Sequence, residues 1–377
     1  MRVLARASGR VNLIGDHTDY MGGLVLPMAI DLATTLEATL DEDGGPSLSL
    51  RSDAEADPVQ LVLPVDDPSS VSPAWGRYVA AVAHELGSRR GFAGDLSSTI
   101  PLGAGLSSSA ALEVASALAL LAAARPTDRS PRLPGGLASL RGRPGAPERD
   151  QRRDLALLCQ RAEHAAVGVP SGVMDQLCIC AARAGTATLI DCSELSVRHV
   201  PVPEAASVWV VHSGTSRSLA DSPYADRRRA AEAAESLLGP LPRATPTSIE
   251  SLGDPELRRA ARHVRSECER VAHFAEALQA GDLVAAGQLM VSSHASLRDD
   301  YAVSTPALDQ LAAALVALPG VHGARLTGAG FGGCVVALAD AAVDLSDPGV
   351  FRPVGPAESS RIWRVRPSEG IEVKLSA

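Results

Sequence analysis

The chain has almost no lysine. Lys374 is the only one, although lysine and arginine together number 35 among 377 residues. That scarcity excludes two common nucleotide sites. A Walker A loop and a protein-kinase site each need a lysine at a fixed spacing from other motif residues, where it reaches the phosphates. Lys374 has no such companions. If the protein handles a nucleotide, its phosphates must be held by backbone N–H groups, hydroxyls, arginine and Mg²⁺. Other absences narrow the class further. The six cysteines include no C-x-x-C pair, and no H-E-x-x-H accompanies them, so the expected state is a reduced, cytoplasmic chain with mostly buried thiols. No apolar run reaches the roughly 18 residues of a membrane span. The longest candidate, 110–124, is interrupted by Glu113 and Ser116. The N-terminus, Met1 to Arg6, lacks the apolar core of a signal peptide. A net charge of −9 argues against a nucleic-acid or anionic-membrane partner. No internal repeat is visible.

What is present is organised around Pro101-Leu102-Gly103-Ala104-Gly105-Leu106-Ser107-Ser108-Ser109-Ala110-Ala111. Gly103 and Gly105 allow a tight turn and a close approach to a ligand. Serine is a favoured N-cap, so a helix is expected to start within Ser107–Ser109. Such a turn aims unpaired N–H groups and a positive helix end at one place, which suits a phosphate. The serine hydroxyls can add hydrogen bonds or ligate Mg²⁺. An ordinary capped helix after a tight turn fits the same residues.

Further motifs flank it. Val11 to Ile14 reads as a short strand, followed by Asp16, His17 and Asp19 beside Arg10. Loop carboxylates with a histidine suit a polyol, and they equally suit a solvated polar turn. Alternation over 35–40 and 48–50 predicts a hairpin with one buried face. Trp75 and Tyr78 open a helical pattern through Leu86, and the default meaning of aromatics at that spacing is core packing. Residues 125–153 are rich in Pro, Arg and Gly and read as an exposed loop. A helix is expected from 154 to 167, with Glu163 bordering its apolar face. Asp175 falls in the first turn of the next helix, where a carboxylate serves the helix dipole or acts as a general base. Strands are expected at 188–191, 207–212, 363–366 and 371–375, and helices at 224–238, 256–280, 282–297 and 306–318. A second glycine-rich turn, Thr327-Gly-Ala-Gly-Phe-Gly-Gly-Cys334, lies between an expected strand and an apolar run.

Taken together, these segments resemble the galactokinase family of the GHMP small-molecule kinases. Gly9-Arg-Val-Asn-Leu-Ile-Gly-Asp-His-Thr-Asp-Tyr20 looks like the family signature. Pro101–Ala110 looks like the superfamily nucleotide loop, and Arg325–Gly333 is similar to its C-terminal glycine loop. Gly172-Val-Met-Asp-Gln176, Tyr224 with Arg227 to Arg229, and Ser296-Leu-Arg-Asp-Asp-Tyr-Ala-Val-Ser304 also match. The resemblance implies an α+β, two-domain fold, with a ribosomal S5-like N-terminal domain (1–195), an α/β-sandwich C-terminal domain (196–377) and the active site in the cleft between them. It implies ATP-dependent phosphorylation of the anomeric hydroxyl of galactose. Galacturonate, N-acetylgalactosamine or arabinose are alternative acceptors, and a non-catalytic sugar sensor is an alternative class.

By the same resemblance, Asp175 is the catalytic base and Arg10 its partner. Asp16, His17, Thr18, Asp19, Gly172 and Tyr224 contact the sugar. Gly103, Ala104, Gly105, Leu106, Ser107, Ser108 and Ser109 hold ATP, with Trp75 and Tyr78 beside the adenine. Ser109 and Glu163 hold Mg²⁺. The expected partners are the sugar and ATP, and the expected state is a cytoplasmic monomer. Two departures stand out. Asp16 replaces a signature Glu, withdrawing the carboxylate by about 1.5 Å, and Ser171 replaces a usual Cys.

Overall fold

The computed structural model describes residues 1–40, 44–124, 148–168, 170–215, 224–351 and 362–376. The larger sheet begins with β1 (Arg2–Ile14) and β2 (Leu24–Thr39), an antiparallel pair. β1 alternates in burial over its first residues and is then buried continuously to Ile14. The change has a physical cause. Helices α2 (Ser108–Ala123), α7 (Pro255–Ala280) and α8 (Leu283–Asp299), together with β9 (Val321–Thr327), all pack against β1, and a strand covered on both faces has no polar side. β2 alternates in its last part and pairs there with β5 (Ala93–Ser98). β3 (Ser47–Ser52) and β4 (Val59–Val62) complete that edge.

The hairpin expected at 35–50 is not formed. Both strands exist, but β5 lies between them, antiparallel to β2 and parallel to β3. Alternation specifies which face of a strand is buried and says nothing about its neighbour. A parallel pair needs a long crossover, which here includes β4 and α1 (Gly76–Leu86). α1 buries Val79, Val82, Ala83 and Leu86 as its spacing predicts and ends at Gly87.

α2 is buried nearly all round. It packs beside α3 (Glu148–Val167) and α4 (Met174–Ala181). α3 corrects the sequence reading at 148–153, which are helical and not loop. A charged composition does not by itself separate a helix start from a loop. The expected loop at 125–147 lies outside the described residues. β6 (Thr186–Asp191) pairs with β2 and with β7 (Ser196–Pro201), so the first sheet continues past residue 195.

The second sheet is antiparallel, in the order β11 (Ile362–Val365), β8 (Ala206–His212), β10 (Cys334–Asp340), β9. Helices α5 (Tyr224–Leu238), α6 (Pro246–Glu250) and α9 (Pro306–Val316) join α7 and α8 around it. The chain then returns to the first sheet, where β12 (Ile371–Ser376) pairs with β1. Among the described residues no helix is long and apolar enough to cross a membrane.

Candidate active site

Three segments far apart in sequence meet at the open end of α2. The first is the end of β1, which carries Arg10. The guanidinium grips Asp175 with two bonds, Nε to Oδ1 at 2.7 Å and Nη2 to Oδ2 at 2.5 Å, and its Nη1 donates to the Gly105 carbonyl at 2.5 Å. One arginine therefore fixes the acidic group and the glycine loop together. The second segment is that loop. Gly103 and Gly105 adopt φ of 72° and 75°, and Ala104 and Leu106 are buried beneath it. α2 starts at Ser108 with Ser107 at the N-cap, as expected, yet Ser107 does not cap the helix. Its hydroxyl donates to Asp175 Oδ2 at 2.5 Å. The first N–H groups of α2 thus have no side-chain cap, and a helix cannot satisfy them internally. The third segment is α4, whose first turn carries Asp175 with a side chain 26 % exposed.

Beside this pair lies a network of polar side chains. Ser109 Oγ donates to Glu163 Oε1 at 3.1 Å. Glu163 Oε2 accepts from Ser171 at 2.7 Å and from Gln176 Nε2 at 3.0 Å. The same Gln176 nitrogen donates to Glu113 on the buried side of α2. Burial first, and the neighbouring Glu163 charge second, raise the Glu113 carboxyl well above the usual range. An amide therefore separates two carboxyl groups of which one is held neutral. Tyr78, half-buried, is pushed up to about 12 by burial and by the charges of Glu163 and Glu113. Trp75 is also half-buried, and its Nε1 donates to the Asp57 carbonyl at 3.1 Å.

The acidic turn after β1 divides into two kinds of residue. Asp19 lies against Gly172, where a Cβ would sit 1.6 Å from Asp19 Oδ2, so any larger residue there must push the Asp19 carboxylate aside. Burial raises the Asp19 carboxyl to about 6, and the charges of Asp175 and Asp16 add to the effect. His17, at φ 67°, bonds Tyr20 through Nδ1 and packs near the rings of Tyr224 and Tyr301. Three of the chain's four tyrosines gather here. Asp16 and Thr18 are committed elsewhere. Thr18 Oγ1 bonds the carbonyls of Gly15 and Leu24, closing the turn on itself. Asp16 is 2 % exposed; Oδ2 takes Arg325 Nη2 at 2.6 Å, and Oδ1 takes the Gly328 N–H at 3.0 Å.

That last contact belongs to a buried ion network that sequence reading did not find. Arg325, fully buried on β9, also reaches the Leu13 carbonyl and lies 3.8 Å from Glu267 on α7. Glu267 accepts from the Gly15 N–H, Ser293 and Arg270. Burial opposes its ionisation, but Arg270 and Arg325 outweigh it and hold the carboxyl down at about 2. The network ties the first motif to the second glycine turn. Its members look like ordinary helix and strand residues in the sequence, and only the partner across 309 residues marks Arg325 as special.

Comparison with known proteins bears on the family and the fold. The galactokinase galactose-binding signature matches residues 2–39, and the GHMP kinase N- and C-terminal domain families match 75–134 and 274–346. Human galactokinase is 41 % identical over 347 residues, covering 89 % of this chain and 83 % of that protein. Galactokinase from Chloroflexus aurantiacus is 43 % identical, with the same shares covered. The crystal structure of Lactococcus lactis galactokinase complexed with galactose superposes with a TM-score of 0.82 at 29 % identity, covering 98 % of this chain and 95 % of that one. A mevalonate kinase structure, at 19 % identity and a TM-score of 0.65, shares the fold. The fold is therefore that of the GHMP kinases, and the chain belongs to the galactokinase family.

Proposed function

We propose that the protein transfers the γ-phosphoryl group of ATP to the anomeric hydroxyl of galactose, giving the sugar 1-phosphate and ADP. One observation carries the reading. Asp175 is bonded both to Arg10 and to Ser107 of the glycine loop, while its charge helps to raise the Asp19 carboxyl. An acceptor for a hydroxyl proton thus stands between an anion cradle and a polyol-binding carboxylate.

Phosphoryl transfer needs little covalent chemistry from the protein; positioning and charge stabilisation dominate. In this reading the loop from Gly103 to Ser109 receives the phosphates on its N–H groups. Asp19, His17 and Tyr224 fix the sugar hydroxyls, and Gly172 lets Asp19 approach. Asp175 accepts the proton of the attacking hydroxyl, which contributes roughly 100- to 10,000-fold. Arg10 holds Asp175 in line and faces the charge that develops on the transferring group. Asp16 and Thr18 act as struts for the motif, since their polar atoms bond Arg325, Gly328 and backbone carbonyls. Trp75 and Tyr78 border the adenine.

The residues present fit a Mg²⁺ ion. Neighbouring corners of an octahedron with bonds of about 2.1 Å are about 3 Å apart, and Ser109 Oγ and Glu163 Oε1 are separated by 3.1 Å. Among the described residues no group of three or more His, Cys, Asp or Glu could hold a metal. Two protein oxygens with phosphate oxygens completing the shell is the usual arrangement for Mg²⁺ beside a nucleotide. When bound, the ion would neutralise phosphate charge. Six free cysteines accord with a reducing, cytoplasmic setting, and the unit is taken to be a monomer. Nothing favours galacturonate, N-acetylgalactosamine, arabinose or a sensor.

The test is ADP release by the purified protein with ATP, Mg²⁺ and each sugar in turn. Sugar-dependent turnover highest with galactose is expected. No sugar-dependent ADP release would refute the reading.

A further inference from the structure

The segment from Ser296 to Ser304 is left without a task by the chemistry above, yet it delivers Tyr301 to the sugar side of the site. Tyr301 is buried at the end of α8, where its N–H bonds the Ser296 carbonyl. Its ring packs against His17, with centroids 4.8 Å apart, and against His263 at 4.6 Å. Its hydroxyl has two neighbours: the Arg227 carbonyl at 3.2 Å and the Tyr20 hydroxyl at 2.8 Å. Tyr20 in turn meets His17 Nδ1 at 3.0 Å.

These three contacts have a direction. A carbonyl only accepts, and a phenol has one proton. Tyr301 spends its proton on Arg227, so it accepts from Tyr20. Tyr20 spends its own on Tyr301, so it must accept from His17. His17 therefore carries its proton on Nδ1, and in the neutral ring Nε2 is an acceptor. Burial keeps Tyr301 and Tyr20 well above the normal tyrosine range, so both protons stay in place at neutral pH.

We propose that Tyr301, acting through Tyr20, is a positioning residue that holds His17 in the Nδ1–H tautomer, so that His17 meets the sugar as a hydrogen-bond acceptor at Nε2. The sugar half of this rests on the reading of His17 as a galactose contact; the tautomer does not. The opposite polarity, with Tyr20 donating to Nδ1, would put a proton on Nε2 and set donor against donor wherever a sugar hydroxyl must give its proton. The relay links residues 281 positions apart in the sequence, so it forms only when the two halves of the chain are docked.

The tautomer is read directly from two-bond ¹H–¹⁵N correlations of the imidazole in the ¹⁵N-labelled protein, on the alkaline side of histidine's ordinary range. His17 is assigned by its loss in a His17→Gln variant. The Nδ1–H pattern is expected in the wild type, with Nε2–H or a mixture in Tyr301→Phe, which keeps the ring and removes only the relay's terminus. The galactose KM of that variant should rise about 10-fold, the effect of one misdirected hydrogen bond. Its ATP KM and kcat should stay near wild type. Tyr20→Phe should move the same two readouts. Nε2–H in the wild type, or an unchanged tautomer and galactose KM in Tyr301→Phe, would overturn the proposal. Should Tyr301→Phe fail to fold, the wild-type spectrum and Tyr20→Phe still decide. If the wild type proves inactive on galactose while showing Nδ1–H, the sugar reading fails and the relay stands.

Discussion

Asp19 offers a test in which stability and function move in opposite directions. Its carboxyl is raised from 3.8 to about 6, chiefly by burial and then by the charges of Asp175 and Asp16. The native state therefore holds a proton on Asp19 in a pH range where the unfolded chain has released it. Stability must fall as pH rises through the window from 3.8 to about 6. A shift of this size corresponds to about 3 kcal/mol, and the partial solvent contact of the side chain trims it to about 1–3 kcal/mol. Asp19→Asn removes the charge and keeps the shape. Near neutral pH the variant should be more stable than wild type by that amount, and the gap should close near the acid end of the window. Its galactose KM should rise at least about 10-fold, because a charge-assisted acceptor is lost. Denaturant midpoints at the two pH values, with equal m-values, supply the stability difference. A variant no more stable at neutral pH, or a difference that ignores pH, would refute the assignment of electrostatic crowding at this carboxylate.

Asp175→Asn should lower kcat roughly 100- to 10,000-fold, with galactose and ATP affinities by calorimetry close to wild type; retained turnover would remove Asp175 from its role. Gly172→Ala places a Cβ 1.6 Å from Asp19 Oδ2, so galactose KM should rise by about 10-fold or more while ATP KM holds, and equal loss in both would argue for misfolding. Arg325→Leu leaves the buried Asp16 carboxylate without its cation, which costs about 3–5 kcal/mol. Adding Asp16→Leu should restore part of that in urea unfolding, whereas strictly additive losses would show that the two side chains do not interact.

Much of the site was legible because its chemistry is local. The loop from 101 to 109 announces itself through glycines followed by serines, and the helix starts where they stand, although Ser107 spends its hydroxyl on Asp175 and not on a cap. Asp175 in a first helical turn was equally readable, though the turn alone left its role open; its bonds to Arg10 and Ser107 come from the fold and not from its sequence neighbours. Asp16 shows the limit. Its place in the motif suggests a sugar contact, but the carboxylate lies on Arg325, and nothing near residue 16 in the sequence names that partner. Glu113 and Gln176 were silent for a similar reason, since a lone polar residue in an apolar helix acquires meaning only from what faces it. The hairpin expected at 35–50 failed because β5 enters from a later segment.

By itself the sequence determined what depends on a few neighbouring residues: the scarcity of lysine that rules out lysine-based phosphate sites, the tight glycine turns, the helix starts and the faces that must be buried. Tertiary structure alone decided pairings between distant groups. Arg10 on Asp175, Arg325 on Asp16 and Tyr301 on Tyr20 each join segments more than 160 residues apart. Backbone geometry and burial preference act over a turn or two of chain, whereas a charge or a hydroxyl is satisfied by whatever the folded core brings within about 3 Å of it.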